Sequence, residues 1–222
     1  MAITIPTSAS LGAFSTEIAT NKATQGDYDP RVANAVVTLA TETSAALLTS
    51  QAVIPVNLAS GILAAGTPLA AWADDAASAP GITLADSKCV GIRWNNNGTQ
   101  VAVWLSADMP QDLDDTAPVV LHLLASKVGA TVGDATTFVV TAFFQTVAAL
   151  HDADTDCGGS TSAMVGNATS KTVAELTLTI AAVDVPPAPA KLSFSIKPAS
   201  LGADDVIVSS AWFEYTRKAL AS

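Results

Sequence analysis

The sequence predicts an all-β protein: an antiparallel β-sandwich, jelly-roll-like, preceded by an extended N-terminal arm. Apolar and polar residues alternate with a period of two in the C-terminal two thirds, which marks half-buried strands. Turn signals recur about every 10–20 residues with no long amphipathic helix between the strand-like runs, the spacing of an antiparallel sandwich and not of βαβ units. Thr and Val favour pleated strands, although the abundance of Ala keeps helix possible. Half of the 222 residues are apolar and 14% are charged, against about 25% charged in ordinary globular domains, so the chain lacks the composition of a disordered protein. The expected organisation is an arm at residues 1–28 and one sandwich domain at residues 29–222.

Residues 1–28 are rich in Thr, Ser and Ala, with few large apolar groups to bury. Asp29-Pro30 has the form of a helix start, Asp capping and Pro in the first turn, which would put Val32, Val36 and Leu39 on one face. Residues 35–41 (Ala-Val-Val-Thr-Leu-Ala-Thr) read equally as a strand, so residues 30–48 are left as strand or helix. Residues 73–80 form a loop. Residues 90–94 (Val-Gly-Ile-Arg-Trp) and 100–105 (Gln-Val-Ala-Val-Trp-Leu) are strand-like and flank Asn95-Asn96-Asn97-Gly98-Thr99; Asn-Gly is the strongest short-range hairpin signal. A polar turn at 109–115 precedes a strand at 119–125, and a second turn at 129–134 precedes the β-branched and aromatic run 136–148. That run is too long for one average strand and is expected to bend or bulge.

After an Asp-rich loop at 152–156 the alternation is plain. In residues 172–181, Leu176, Leu178 and Ile180 share a face opposite Glu175, Thr177 and Thr179; in residues 191–197, Leu192, Phe194 and Ile196 oppose Ser193 and Ser195. The connector Val185-Pro186-Pro187-Ala188-Pro189 is stiff and poor in ladder donors. The last strand, 205–217, alternates less regularly. No repeat occurs at solenoid periods.

Twenty Asp and Glu against ten Lys and Arg give a net charge of −10, which argues against nucleic acid or an anionic membrane as partner. No apolar run reaches the ~18 residues of a membrane-spanning helix, and the first ten residues lack the basic and apolar regions of a signal peptide. Two cysteines, Cys89 and Cys157, are too few for a disulfide framework or a thiolate metal site; they are two buried thiols or one bridge. The one motif-like cluster is His151-Asp152-Ala153-Asp154-Thr155-Asp156-Cys157-Gly158-Gly159. Asp152, Asp154 and Asp156 alternate as at the start of a calcium loop. Cys157 stands where that loop needs glycine, however, and Thr161-Ser162-Ala163 supply no closing Glu, so a solvated acidic loop is the simpler reading.

Asp112, Asp114 and Asp115 belong to a polar turn. His122 lies in an apolar stretch and reads as a hydrogen-bonded interior or interface histidine, not as a catalytic base. No G-x-S-x-G elbow occurs, and Gly129 and Gly133 flank a turn without the Lys-Ser/Thr of a phosphate loop. No catalytic residue and no cofactor is expected. Trp72, Trp94, Trp104 and Trp212 form either a sugar-stacking platform or core and interface plugs. Trp94 and Trp104, flanking one loop, suit the core.

Several segments resemble a family of tailed-bacteriophage virion proteins: residues 91–100 (Gly-Ile-Arg-Trp-Asn-Asn-Asn-Gly-Thr-Gln), 109–115, 124–134, 149–154, 201–205 and 212–217 (Trp-Phe-Glu-Tyr-Thr-Arg). The resemblance covers residues 85–220. It implies a jelly-roll-like sandwich located in the virion and assembled in the host cytoplasm, with no catalytic residues to carry over. The leading expectation is a capsid cement (decoration) protein, a homotrimer bound to the major capsid protein, with residues 1–28 reaching a neighbour. The alternative is a head or tail fibre component that binds carbohydrate on the host surface. High apolar content at low charge fits either, since exposed apolar patches mark interaction surfaces.

Overall fold

A computed structural model describes residues 51–73, 79–96, 100–129, 131, 135–147, 155–165 and 171–218. The chain divides into two compact units, Met1–Gln51 with Arg217–Ser222, and Ala52–Thr216. The expected arm at 1–28 and the choice between strand and helix at 30–48 lie outside the described residues.

The regular structure of the described residues is nearly all strand: β1 (Gln51–Pro55), β2 (Ile62–Leu63), β3 (Gly81–Ala85), β4 (Cys89–Trp94), β5 (Val103–Met109), β6 (Val119–Lys127), β7 (Ala135–Thr136) and β8 (Phe138–Thr146). Then come β9 (Gly159–Ser160), β10 (Met164–Val165), β11 (Ala174–Ile180), β12 (Ala190–Pro198) and β13 (Val206–Thr216). One sheet has six strands in the order β11-β6-β13-β4-β3, with β1 also beside β13; the other has five in the order β2-β5-β12-β8-β9. β7 and β10 form a separate two-stranded pair. From β4 onward the long strands alternate between the two large sheets: β4, β6, β11 and β13 in one, β5, β8 and β12 in the other. This antiparallel exchange between layers is a jelly-roll-like β-sandwich, the architecture expected from the alternation. Among the described residues no helix is long and apolar enough to cross a membrane.

The core lies between the sheets. Ile92, Leu121, Leu123, Leu176 and Val208 project from one side and Val103, Leu105, Val140, Leu192 and Ile196 from the other, all buried. Aromatic rings cross the gap. Trp94 meets Phe138 edge-on at 5.7 Å and Phe194 meets Phe213 edge-on at 5.0 Å, the geometry in which a ring's positive rim faces its neighbour's negative face.

Most of the expected strands hold, with physical reasons for the departures. The run 136–148 breaks at Thr137, between β7 and β8. β13 carries a bulge between Val208 and Ser210: Val206 and Val208 point inward before it, and Ala211, Phe213 and Tyr215 after it. One extra residue exchanges the faces of a period-two strand, which is why its sequence alternates poorly.

The expected Asn-Gly hairpin does not form. β4 pairs with β3 and β13, whereas β5 pairs with β2 and β12, so the loop between them carries the chain from one sheet to the other. β4 has both lateral positions occupied, leaving β5 no edge to join. The near side of the loop is pinned by Trp94 Nε1, which donates to the Val101 carbonyl at 2.9 Å. Asp205 also holds it, with Oδ1 accepting from the Asn96 amide at 2.9 Å and Oδ2 from the Arg93 guanidinium at 2.8 and 2.6 Å. Residues 97–99 lie outside the described residues. No disulfide joins Cys89 and Cys157; both are half-buried thiols.

Candidate functional site

In β5 the apolar residues Val103, Leu105, Ala107 and Met109 fill the core. Strand parity therefore puts Trp104, Ser106 and Asp108 on the outer face of the five-stranded sheet. β12 runs between β5 and β8, with Ser195 opposite both Trp104 and Thr141, and Ser193 opposite both Ser106 and Phe143. Trp104 and Phe143 thus stand diagonally across β12 and lean together over it. Their rings are within 12° of parallel with centroids 6.3 Å apart, and Ser195 beneath is 4% exposed.

The edge of this face is raised by the segment around β2. Ile62 and Leu63 pair with Trp104 and Val103, and the chain then turns back: the Gly66 amide donates to the Leu63 carbonyl and the Leu63 amide to the Thr67 carbonyl, both at 2.8 Å. Gly66 has φ +78°, a conformation that costs glycine little and other residues more. The result is a groove of about 380 Å³ whose floor is Trp104, Ser106, Ser193 and Lys191 and whose wall is the stretch from Ser60 to Gly66. Its lining contains one cation and no carboxylate. The hydroxyls of Ser106 and Ser193 and the ammonium of Lys191 make no hydrogen bond or ion pair with a described residue. An aromatic floor beside uncommitted donors and acceptors can take a ligand with one apolar face and a hydroxylated rim.

The four tryptophans do not form one platform. Trp94 is in the core at 1% exposure, as its place beside the Asn-Gly loop led us to expect; Trp104, expected to join it, faces outward instead because its neighbours on both sides point in. Trp212 lies on the outer face of the six-stranded sheet, stacked on His122 at 4.9 Å and 6°. Trp72 lies under the Arg93 guanidinium, 3.6 Å from its ring centre, a cation–π contact. His122 is hydrogen-bonded through Nδ1, 2.5 Å from Glu175 Oε1, while Nε2, 3.9 Å from Glu214 Oε2, is buried without a hydrogen-bond partner among the described residues.

Of the candidate calcium loop, Asp156 is described and Asp152, Asp154 and His151 lie outside the described residues. One oxygen of Asp156 is committed to the backbone: Oδ1 accepts from the Ala142 amide at 2.9 Å and the Gly158 amide at 2.8 Å. Among the described residues no three His, Cys, Asp or Glu side chains gather as a metal site. Asp114 ties its own turn, with Oδ1 accepting from the Thr116 amide at 2.9 Å. Sequence reasoning missed Phe143, Ser193 and Lys191. Adjacent Phe143 and Phe144 on one strand did signal that one ring must face outward.

No protein-family model matches the chain and no curated protein matches it, so the resemblance to tailed-phage virion proteins gains no support from them. Among solved structures it is similar to a xylan-binding module, CBM15, at 18% identity and TM-score 0.44, over 76% of this chain and 99% of that one. It is also similar to CBM29_1, a family 29 carbohydrate-binding module from Piromyces equi, at 9% identity and TM-score 0.35, over 75% and 91% of the two chains. A CBM35 from Cellvibrio japonicus Abf62 is similar at 11% identity and TM-score 0.31, over 74% and 92%.

Proposed function

We propose that this protein is a non-catalytic carbohydrate-binding β-sandwich that holds a glycan in the groove on its five-stranded sheet. The observation that carries the reading is the near-parallel pair of Trp104 and Phe143, half-buried in their own sheet and so holding their orientation before any ligand arrives. A pyranose ring has an apolar C–H face and a rim of hydroxyls. The aromatic pair takes the first by dispersion and burial, while Ser106, Ser193 and Lys191 take the second by hydrogen bonds. Rigid strands bear every floor residue, which keeps the ordering cost of binding low.

Glycan-array screening followed by calorimetry on Trp104→Ala and Phe143→Ala tests this. Removing Trp104 is expected to weaken binding at least about tenfold, with Phe143→Ala smaller. Both variants should melt within a few degrees of the parent. Binding that survives Trp104→Ala, or is lost only with Trp72→Ala or Trp212→Ala, would refute the assignment of this face.

A second reading places the protein in a tailed-phage virion as a capsid cement, a homotrimer on the major capsid protein. It is favoured by aliphatic side chains left in water on the sheet that does not bear the groove: Val53 of β1 is 62% exposed, and Leu84 and Val90, directly opposed across β3 and β4, are 61% and 63% exposed. Light scattering on the eluting protein separates the two readings. A trimer that Leu84→Ser with Val90→Ser dissociates supports cement; a monomer that binds glycan supports the first reading. A fibre component that binds host glycan is the setting in which both properties would meet.

A further inference from the structure

We infer that the groove is selective for acidic glycans, whose carboxylate or sulfate group is held by Lys191; this rests on the carbohydrate-binding reading of the same face. Lys191 lies directly opposite Asp108 on β5 and Gln145 on β8, yet it forms no ion pair with Asp108 and instead lines the groove. A cation with an available neighbouring carboxylate that remains uncommitted inside a cleft keeps its charge for something else. Position also matters. Ser193, two residues along the same face of β12, and Trp104 share the floor with Lys191, so a sugar seated on the ring has its edge beside the ammonium.

The distribution of charge points the same way. In a chain with twice as many acids as bases, the outer face of the six-stranded sheet follows the overall sign, with Glu175 and Glu214 around His122. β12 reverses it, with Lys191 and Lys197 on its outer positions. Charges farther away than about a Debye length, roughly 8 Å at physiological ionic strength, are largely screened, so the net charge of −10 acts only weakly on an anion seated in the groove. Any preference for an acidic sugar must therefore arise at contact, where the one groove cation dominates.

Matched polymers at fixed ionic strength test this: polygalacturonate against its fully methyl-esterified form for the carboxylate, and dextran sulfate against dextran for the sulfate ester. The parent is expected to prefer the charged member of at least one pair by on the order of tenfold, the scale of a charge-assisted contact, and the pair that responds identifies the anion. Lys191→Gln should abolish that preference, weakening the charged member on the order of tenfold more than the uncharged one, and Lys191→Arg should restore it. Equal binding of charged and uncharged members, or a preference that survives Lys191→Gln, overturns the inference while the carbohydrate reading stands. Failure to bind any glycan, with an unaltered melting curve, overturns both.

Discussion

Arg93 and Asp205 join β4 to the chain just before β13, and the same carboxylate caps the Asn96 amide with its second oxygen. With both side chains mostly buried, removing the acid strands a guanidinium that also covers Trp72. Asp205→Ala is therefore expected to cost about 2 kcal/mol in urea denaturation; a change under half of that would show the pair to be incidental. Core rings are worth more: Phe213→Ala opens a void against Phe194 and should cost about 3–5 kcal/mol. On the surface, the Lys171 ammonium 2.8 Å from Asp86 holds that carboxyl below its usual value. Whatever stability this exposed pair adds is present above the unfolded carboxylate pKa and lost as pH falls through the lowered folded value. Carbon-detected NMR titration of Lys171→Ala should find Asp86 titrating at higher pH than in the parent.

At the level of elements, β12 and β13 show what a sequence discloses and what it hides. Leu192, Phe194 and Ile196 could be assigned to the core by period alone, because β12 pairs without interruption on both edges. β13 could not, since its bulge lies in the pairing and not in any residue type. Counting straight on from Val206 would send Trp212 inward, whereas the bulge sends it out to His122. Trp104 reads as core from its place beside the Asn-Gly loop, although Val103 and Leu105 on either side carry the parity that turns it outward. Its partner Phe143 was not legible, because the two meet only through the register of a third strand. The Asn-Gly hairpin failed for a related reason: a local turn signal carries no information about which edges are already taken. Two deletions test the account. Removing Ser209 leaves Val208 and Ser210 consecutive opposite Ala125 and Leu124, so every later side chain keeps its face and the protein should still fold. Removing Ser193 from bulge-free β12 turns one flank of the strand inside out, and circular dichroism should find no cooperative transition.

For the molecule as a whole, the arrangement of strands has a consequence for its birth on the ribosome. β12 and β13 are made last of all the strands, yet each lies in the interior of its sheet, β12 between β5 and β8 and β13 between β6 and β4. The five-stranded layer cannot close before β12 emerges, nor the six-stranded layer before β13. Earlier strands can pair only in part, β3 with β4 and β6 with β11, so much apolar surface stays uncovered late into translation, and distant pairing makes the final closure slow. Stalled chains ending at Pro189 should be cut by protease as readily as a denatured chain, and resistance should appear in one step when the remaining strands are released from the exit tunnel.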